Sequence, residues 1–358
     1  MSIAKKIIKI VLSVILCLIL VVVIYVAYYL LSYKRIEDNL SITPENNRTM
    51  KVETKKPYKA VSYNTGFGAY TKDFGFFMDG GTEGRAWSKE SVNNTVNGMI
   101  ALLLKNNADI NFLQEVDVKA TRSYNVNQLE MYKTAFKEYS SVYAENYNSP
   151  YLIYPFHSPL GSAKAGILTL SKFNITTALR RSLPVESGFG KYMDLDRCYT
   201  ITTAPVANGK TLYVYNVHLS AYTSDGKIAD EQFKNLVADM KSKYDGGDYV
   251  ICAGDFNKDV LGNSSEVFGV DGEKYTWAQP IKEEFLLNTG LSLKKPFDPK
   301  KPVPTCRNAD GPYNEKQFVV SIDSFIVSDN VTVSYCNVID TGFEFSDHNP
   351  VEMSFTLD

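Results

Sequence analysis

The stretch Tyr249–Asn257, which reads YVICAGDFN, changes abruptly from apolar to polar residues at Gly254. Its apolar half is short and uncharged, which is typical of a buried strand. A carboxylate at the end of such a strand is costly to bury unless it is paired or binds a cation. The stretch therefore predicts a core strand of a sheet with a functional residue, Asp255, at its end.

Four other stretches also place polar residues directly beside an apolar run. They are Ala60–Asn64 (AVSYN), Ile110–Glu115 (INFLQE), Tyr213–Leu219 (YVYNVHL) and Phe345–Val351 (FSDHNPV), and Ser321–Phe325 (SIDSF) precedes the last of them. Carboxylates that meet at one edge repel one another, and a divalent cation relieves that repulsion; oxygen ligands favour Mg²⁺, Mn²⁺ or Ca²⁺. Two of the three histidines, His218 and His348, lie in these stretches. Imidazole suits proton transfer near neutral pH.

The chain between these stretches alternates helix-like and strand-like segments. Ser88–Asn107 has helical spacing, and Val319–Val327 is expected to be one late strand. Cys198–Val206 and Thr211–His218 are strand-like runs on either side of Asn208-Gly209, which predicts a hairpin. Many strands with a hairpin and interspersed helices predict an α/β (α+β) fold, in which helices pack outside mixed sheets.

The N-terminal segment has the composition of a membrane anchor. Ile10–Leu31 is a run of 22 uncharged residues, and a helix of that length extends about 33 Å, the thickness of a bilayer core. A cleaved signal peptide is the alternative, but its apolar region is shorter and ends in small residues, unlike Val26–Leu31. We therefore expect a basic tip and transmembrane anchor over 1–32, a polar stalk over 33–56 and one catalytic domain over 57–358.

The charge of the chain is unevenly distributed. The net charge is −2, but the first 35 residues hold five basic residues and no acidic one, which leaves 33 basic and 40 acidic residues elsewhere. The basic residues flanking the anchor favour a cytoplasmic N-terminus, with the catalytic domain on the extracellular face of the cell membrane. A domain with an acid excess lacks the basic surface of a protein that binds a long polyanion. Small anionic substrates remain possible, because a bound metal ion supplies local positive charge.

Cysteine spacing indicates no zinc site. Cys198, Cys252, Cys306 and Cys336 are far apart and show no Cys-x-x-Cys pattern. Disulfides are not required by this spacing, and we interpret these residues as small buried hydrophobic side chains.

Five motifs and Asn64 occur in the order known from one superfamily. They are Leu-Gln-Glu ending at Glu115, Asn-Val-His-Leu from Asn216, Gly-Asp-Phe-Asn from Gly254, the Ile-Asp-Ser-Phe-Ile-Val-Ser run around Asp323, and Ser-Asp-His-Asn-Pro-Val around His348, with Asn64 at the end of the first strand. In this order, over Tyr58–Asp358, the chain resembles the endonuclease/exonuclease/phosphatase superfamily. That superfamily includes pancreatic-type deoxyribonucleases, apurinic endonucleases, neutral sphingomyelinases and inositol polyphosphate 5-phosphatases. The resemblance implies a four-layered sandwich of two packed mixed β-sheets flanked by helices, here preceded by one transmembrane helix.

The resemblance also implies which residues bind the metal. Glu115 looks like the principal metal ligand, Asn64 like its neighbour at the metal and phosphate, and Asp347 like an additional acidic residue of the site. Asp255 would orient and deprotonate the attacking water, and Asn257 would hold a non-bridging phosphoryl oxygen. Mg²⁺ is the expected cofactor, with Mn²⁺ or Ca²⁺ as alternatives.

The resemblance further implies roles for both histidines. His348 would bind the phosphate and stabilise the pentacovalent state, and Asp323 would fix its tautomer. His218 resembles a second histidine of the nuclease and sphingomyelinase branches, which is a phosphate ligand or a leaving-group acid. Arg197 and Asn216 are expected to bind substrate, although Arg197 could equally form a surface salt bridge.

These features predict a divalent-metal-dependent hydrolase of phosphoester bonds. Because the anchor places the site near lipid headgroups, we expect a phospholipid headgroup or another small phosphodiester as substrate. An endonuclease or exonuclease, a phosphomonoesterase, and a catalytically inactive membrane-tethered binding module are the alternatives. The Trp-Cys-Asp-Arg motif of the inositol 5-phosphatase branch does not occur in this sequence. The membrane is the expected partner, and no protein partner is indicated.

Overall fold

The computed structural model describes residues 3–186, 196–221, 227–272, 275 and 277–358. Its helices are α1 (Ile3–Ser32), α2 (Lys89–Asn106), α3 (Gln128–Ala135), α4 (Lys227–Asp245) and α5 (Ser264–Phe268). Its strands are β1 (Leu40–Ser41), β2 (Tyr58–Asn64), β3 (Ile110–Ala120), β4 (Ser140–Leu152), β5 (Gly161–Ser171), β6 (Thr177–Ser182), β7 (Cys198–Pro205), β8 (Thr211–His218), β9 (Tyr249–Asp255), β10 (Leu291–Lys294), β11 (Cys306–Arg307), β12 (Val319–Val320), β13 (Asp323–Ser328), β14 (Val331–Val338) and β15 (Val351–Leu357).

Two mixed sheets form the centre of the domain. The order in the six-stranded sheet is β14-β15-β2-β3-β5-β4, and the order in the seven-stranded sheet is β1-β6-β7-β8-β9-β13-β10. The pairs β2–β3 and β8–β9 are parallel, and the other neighbours are antiparallel. Carboxyl ends of parallel neighbours lie at the same edge, so each sheet brings two strand ends together.

Side-chain alternation along the strands produces four layers. On β8, Leu212 and Val214 pack between the sheets, whereas Tyr215 and Val217 pack under α4. Helix α2 covers the outer face of the six-stranded sheet with its apolar stripe, which includes Val96 and Leu103. The predicted four-layered sandwich of two mixed sheets between helices is confirmed.

Local sequence signals explain most of the element boundaries. Helix α2 begins after Ser88, whose hydroxyl accepts a hydrogen bond from the backbone N–H of Ser91. The Asn208-Gly209 step joins β7 to β8 as the predicted antiparallel hairpin. The expectation of one strand over 319–327 is wrong, because the carbonyls of Ser321 and Ile322 accept hydrogen bonds from the loop after β9 and separate β12 from β13.

The N-terminal segment combines an apolar helix with a chain that lies along the domain. Helix α1 is long and apolar enough to cross a membrane, and a signal sequence would share these properties. Part of the expected stalk packs against the domain: Leu40–Ser41 pairs with β6, and Val52 is fully buried and bridges to Val206. The five cysteines of the described chain are free, and Cys198, Cys252 and Cys306 are buried, which agrees with their interpretation as apolar side chains.

Candidate active site

The inner faces of the two sheets change from apolar to polar at one edge. On β9, Ile251 and Ala253 pack between the sheets, and Asp255 continues the same face. His218 on β8 lies in register with Asp255, and Asp323 on β13 lies opposite Asp255. The period-two alternation therefore places these three side chains together at the open end of the core.

Gly254 makes this edge possible. A Cβ atom at this position would lie 1.9 Å from the carbonyl oxygen of Val217 on the neighbouring strand. Any larger residue would push β8 and β9 apart directly before Asp255. The glycine of the Gly-Asp-Phe-Asn motif is thus required by the close packing of the two strands that carry Asp255 and His218.

Glu115 reaches the site through an irregularity in β3. The pairing of β3 with β5 shifts register between Leu113 and Val116, and Glu115 has a left-handed backbone with φ of 58°. A bulge of this kind turns a side chain away from its regular face. Glu115 consequently lines the pocket, and 23% of its side chain is exposed there.

Asp255 is at the centre of the polar cluster. Its Oδ2 accepts a hydrogen bond of 2.9 Å from the amide of Asn64 and lies 3.5 Å from Nε2 of His218 and 3.8 Å from Nε2 of His348. Burial is the main cause that raises the pKa of Asp255 to about 7; the charge of His348 opposes this shift and that of Asp323 adds to it. A carboxylate with such a pKa can accept a proton near neutral pH.

Asp323 is bonded to His348, the residue whose tautomer the resemblance implies that it fixes. Nδ1 of His348 lies 2.8 Å from Oδ2 of Asp323, which directs Nε2 of the imidazole towards Asp255. Burial alone would lower the pKa of His348, but the Asp323 carboxylate, Cys306 and Asp347 outweigh it and raise this pKa well above its ordinary value. His348 is therefore cationic at neutral pH, and its Nε2–H can donate a hydrogen bond within the cluster.

His218 differs from His348 in its protonation. Burial, followed by the charges of Arg197, His348 and Arg122, lowers the pKa of His218 well below its ordinary value. Its ring is therefore neutral at pH 7 and faces Asp255 through Nε2. A neutral imidazole can donate a hydrogen bond to an oxygen but has no proton to spare as an acid.

The donor set around Glu115 fits a hard divalent cation. Burial raises the pKa of both Glu115 and Asp347, and the Asp347 charge also raises that of Glu115 while Arg122 opposes it. A bound cation would relieve this cost of buried carboxylates. Asn64 donates its amide to Glu115 Oε1 at 3.3 Å as well as to Asp255, so its role as a metal ligand stays a prediction.

Two other predicted residues line the same pocket. Asn257 has a left-handed backbone with φ of 49° and donates its amide to the carbonyl of Leu219 at 2.8 Å. Arg197 is buried at the pocket and contributes to the lowered pKa of His218. Its role in binding substrate stays a prediction.

Asn216 does not reach the pocket. Its side chain is fully buried between the sheets, where Oδ1 accepts a hydrogen bond of 2.8 Å from Gln114 and the amide donates to the carbonyl of Leu168 at 3.1 Å. The expectation that Asn216 binds substrate is therefore corrected. Asn216 lies two residues before His218, on the same face of β8, and its hydrogen bonds join the two sheets.

Arg122 is a pocket residue that the motifs did not indicate. Its guanidinium is bonded to Asp117 at 2.8 and 3.2 Å and lies 3.9 Å from the centroid of the Phe67 ring. The side chain lines the pocket beside Tyr147 and places a fixed positive charge near Glu115. No periodic pattern marks an Asp–Arg pair five residues apart, so it becomes visible only in the structure.

Comparison with known proteins gives one family match. The profile of the Endonuclease/Exonuclease/phosphatase family matches residues 61–348. A search of curated proteins found no match.

Solved structures with the same fold come from bacteria and from human. An endonuclease/exonuclease/phosphatase from Beutenbergia cavernae has 16% identity and a TM-score of 0.57, over 85% of this chain and 72% of that one. One from Bacteroides vulgatus has 15% identity and a TM-score of 0.55, over 85% and 100%. The human Nocturnin catalytic domain with bound sulfate has 15% identity and a TM-score of 0.52, over 88% and 98%.

Proposed function

Because the chain belongs to the endonuclease/exonuclease/phosphatase family, we propose that it is a divalent-metal-dependent phosphoester hydrolase acting on a phospholipid headgroup or another small phosphodiester. The observation that carries this proposal is the cluster of Asp255, Asp323 and His348, whose ligand atoms lie within 4.8 Å of one another. Members of this family are phosphoester hydrolases and generally depend on divalent metals.

The residues of the cluster divide the reaction between them. Asp255 accepts the proton of the attacking water as the water oxygen bonds to phosphorus, and the bond from phosphorus to the leaving ester oxygen on the opposite side breaks. His348, kept cationic by Asp323, donates through Nε2 to the developing charge on the phosphoryl oxygens. His218, neutral beside Asp255, donates a hydrogen bond to the substrate.

Glu115, with Asp347 and Asn64 beside it, would hold Mg²⁺ or Mn²⁺ at the pocket. When bound, such a cation supplies charge neutralisation for the phosphoryl group. Arg122 and Arg197 add fixed positive charge on the pocket wall, which favours an anionic substrate.

The anchor and the acid excess favour a substrate at the outer face of the membrane over a long nucleic acid. The domain that follows residue 35 has more acidic than basic residues, and α1 keeps it beside a bilayer. Nucleases, monoesterases and an inactive binding module remain as alternative functions that one panel of substrates separates.

The test uses the full-length chain in detergent micelles with Mg²⁺ or Mn²⁺, and with EDTA as the metal-free condition. The panel contains sphingomyelin, phosphoinositides, plasmid DNA and a soluble bis-ester of phosphate. We expect metal-dependent turnover of a lipid or small diester, lost in Asp255→Asn and His348→Ala and kept in Asp329→Asn, an exposed carboxylate. Equal turnover by all variants would contradict the mechanism, and turnover of plasmid DNA alone would contradict the lipid preference.

A further inference from the structure

We propose that residues 151–156, at the tip of the β4–β5 hairpin, insert into the membrane interface and dock the catalytic pocket onto the lipid surface. This inference rests on the membrane anchor of the proposed function. It names the partner of that face as a bilayer and the substrate class as a phosphoester resident in it. The segment is called the hairpin tip below.

The hairpin tip exposes large apolar side chains that a soluble domain would bury. Phe156 is 78% exposed, Tyr154 59%, Ile153 41% and Tyr151 39%. The 18 residues from 146 to 163 contain no Lys, Arg, Asp or Glu. Arg85 is a charged side chain bonded to this hairpin, because its guanidinium donates to the carbonyl of Pro159 at 2.7 Å and to the hydroxyl of Tyr151 at 3.4 Å. Exposed tyrosines with polar tips suit the boundary between headgroups and acyl chains.

The hairpin tip is bonded to the membrane helix. The hydroxyl of Tyr25 donates to the carbonyl of Tyr151 at 3.0 Å, and the N–H of Tyr151 donates to the hydroxyl of Tyr28 at 3.3 Å. Tyr25 precedes Leu31, the last residue of the apolar run, by six residues, which is about 9 Å along a helix. Interfacial segments lie about 5–10 Å deep in the headgroup and acyl boundary, so these contacts place the hairpin tip at that depth.

The chain that leaves the helix gives the domain little freedom to move away from the bilayer. Arg35 lies 3.6 Å from the carboxylate of Asp196, and Arg180 donates to the carbonyl of Glu37 at 3.0 Å. β1 then pairs with β6. The chain directly after the helix is thus bound to the domain. Together with the contacts of Tyr25 and Tyr28, this keeps the hairpin tip against the membrane.

An aromatic path connects the hairpin tip to the pocket. The rings of Phe156 and Tyr154 are 5.8 Å apart, those of Tyr154 and Phe77 are 5.5 Å apart, and those of Phe77 and Phe76 are 4.8 Å apart. Phe76 lines the pocket with Glu115. The path offers an apolar surface to the part of an amphiphilic substrate that follows its headgroup out of the bilayer.

The pocket is also near the hairpin tip along the chain. Tyr147, which lines the pocket, precedes Tyr151 on the same strand by four residues, about 13 Å in an extended chain. The catalytic cluster therefore opens close above the surface on which the hairpin tip rests. A lipid headgroup is the phosphoester that this position supplies.

The test is tryptophan fluorescence of the full-length chain reconstituted in phosphatidylcholine vesicles with and without brominated acyl chains. Phe156→Trp reports on the hairpin tip, and Leu287→Trp is the matched control, because Leu287 is 69% exposed beside the helical layer of the other sheet. We expect the emission added by Phe156→Trp to shift to shorter wavelengths and to lose intensity in brominated vesicles, and the emission added by Leu287→Trp to do neither.

Equal emission and quenching at both positions would overturn the proposal, as would protection of Phe156→Trp that appears only with rising protein concentration, since a second copy would then cover the hairpin tip. This readout requires no turnover, so it tests membrane insertion independently of the hydrolase activity. In an active enzyme, Tyr154→Ser with Phe156→Ser is expected to lower turnover of vesicle lipid far more than turnover of a soluble bis-ester, which has no acyl chain to contact the aromatic path.

Discussion

Asp323 lies directly opposite Asp255 on the antiparallel strands β13 and β9, and His348 binds the first and faces the second. Two buried carboxylates in such a position repel each other, and a cationic imidazole between them compensates that repulsion. The protonation of His348 and the basicity of Asp255 are therefore properties of the cluster, and a change in one member alters the others.

Replacement of Asp323 by Asn should remove the charge that holds His348 cationic and correctly oriented. We expect kcat to fall about 10²–10³-fold, the usual cost of losing one positioned donor to the charge that develops in the transition state, with a smaller change in KM. Steady-state kinetics on a soluble phosphodiester measure this. Asp329→Asn, in the exposed turn after β13, is the matched control and should keep full activity; an equal loss in both variants would contradict the role of Asp323.

The pH dependence of activity should reflect the raised pKa of Asp255. Asp255 must be ionised to accept a proton from water, and its pKa is raised to about 7 chiefly by burial. Activity is therefore expected to fall as the pH decreases through about 7. Because a bound cation favours the ionised carboxylate, a higher Mg²⁺ concentration should move this limb to lower pH. A profile of kcat/KM that is flat from pH 5 to 8 would contradict this assignment.

The sequence was sufficient to predict the elements whose side chains follow a simple period or a motif. The inner face of β9 ends in Asp255 because alternate residues share one face, and this periodicity is visible in the sequence. The apolar run that ends at Glu115 and the motif both indicated a functional residue there, but the bulge that turns its side chain into the pocket has no such periodicity. The sequence therefore indicated the residue but not the backbone irregularity that places it.

Asn216 shows why motif membership alone was misleading. It stands two residues before His218 and points to the same side of β8, so no sequence pattern separates the two residues. The difference is depth: the sheets close over Asn216 and open at His218. Arg122 was missed because no sequence pattern marks the short turn at Thr121–Ser123 that brings its guanidinium back onto Asp117.

The buried ion pair of Arg122 and Asp117 predicts a large effect on stability. Asp117→Ala leaves a buried guanidinium without its partner, and we expect a loss of about 3–5 kcal/mol in the free energy of unfolding. Denaturant titration of the full-length chain in micelles measures this. The double variant Asp117→Ala with Arg122→Met removes both charges and should recover part of the loss; a double variant less stable than the single one would contradict this account.

The position of Asn216 predicts a variant that loses stability without losing substrate affinity. Asn216→Ala leaves the buried amide of Gln114 with only the long 3.4 Å contact to the hydroxyl of Ser62, and an unsatisfied buried polar group costs about 1–3 kcal/mol. Because the side chain does not line the pocket, KM for a soluble phosphoester should stay unchanged. Denaturant titration and steady-state kinetics on the same preparation measure the two quantities.

Asn94→Ala is the control, because Asn94 lies exposed on α2 and its replacement should change the free energy of unfolding by less than about 0.5 kcal/mol. An increase in KM for Asn216→Ala at unchanged stability would show that Asn216 contacts substrate after all, and it would restore the motif-based expectation.

Arg197→Met is expected to change KM, in contrast to Asn216→Ala. The side chain of Arg197 lines the pocket, so KM should rise for an anionic substrate. The two variants together therefore separate residues that join the sheets from residues that face the substrate.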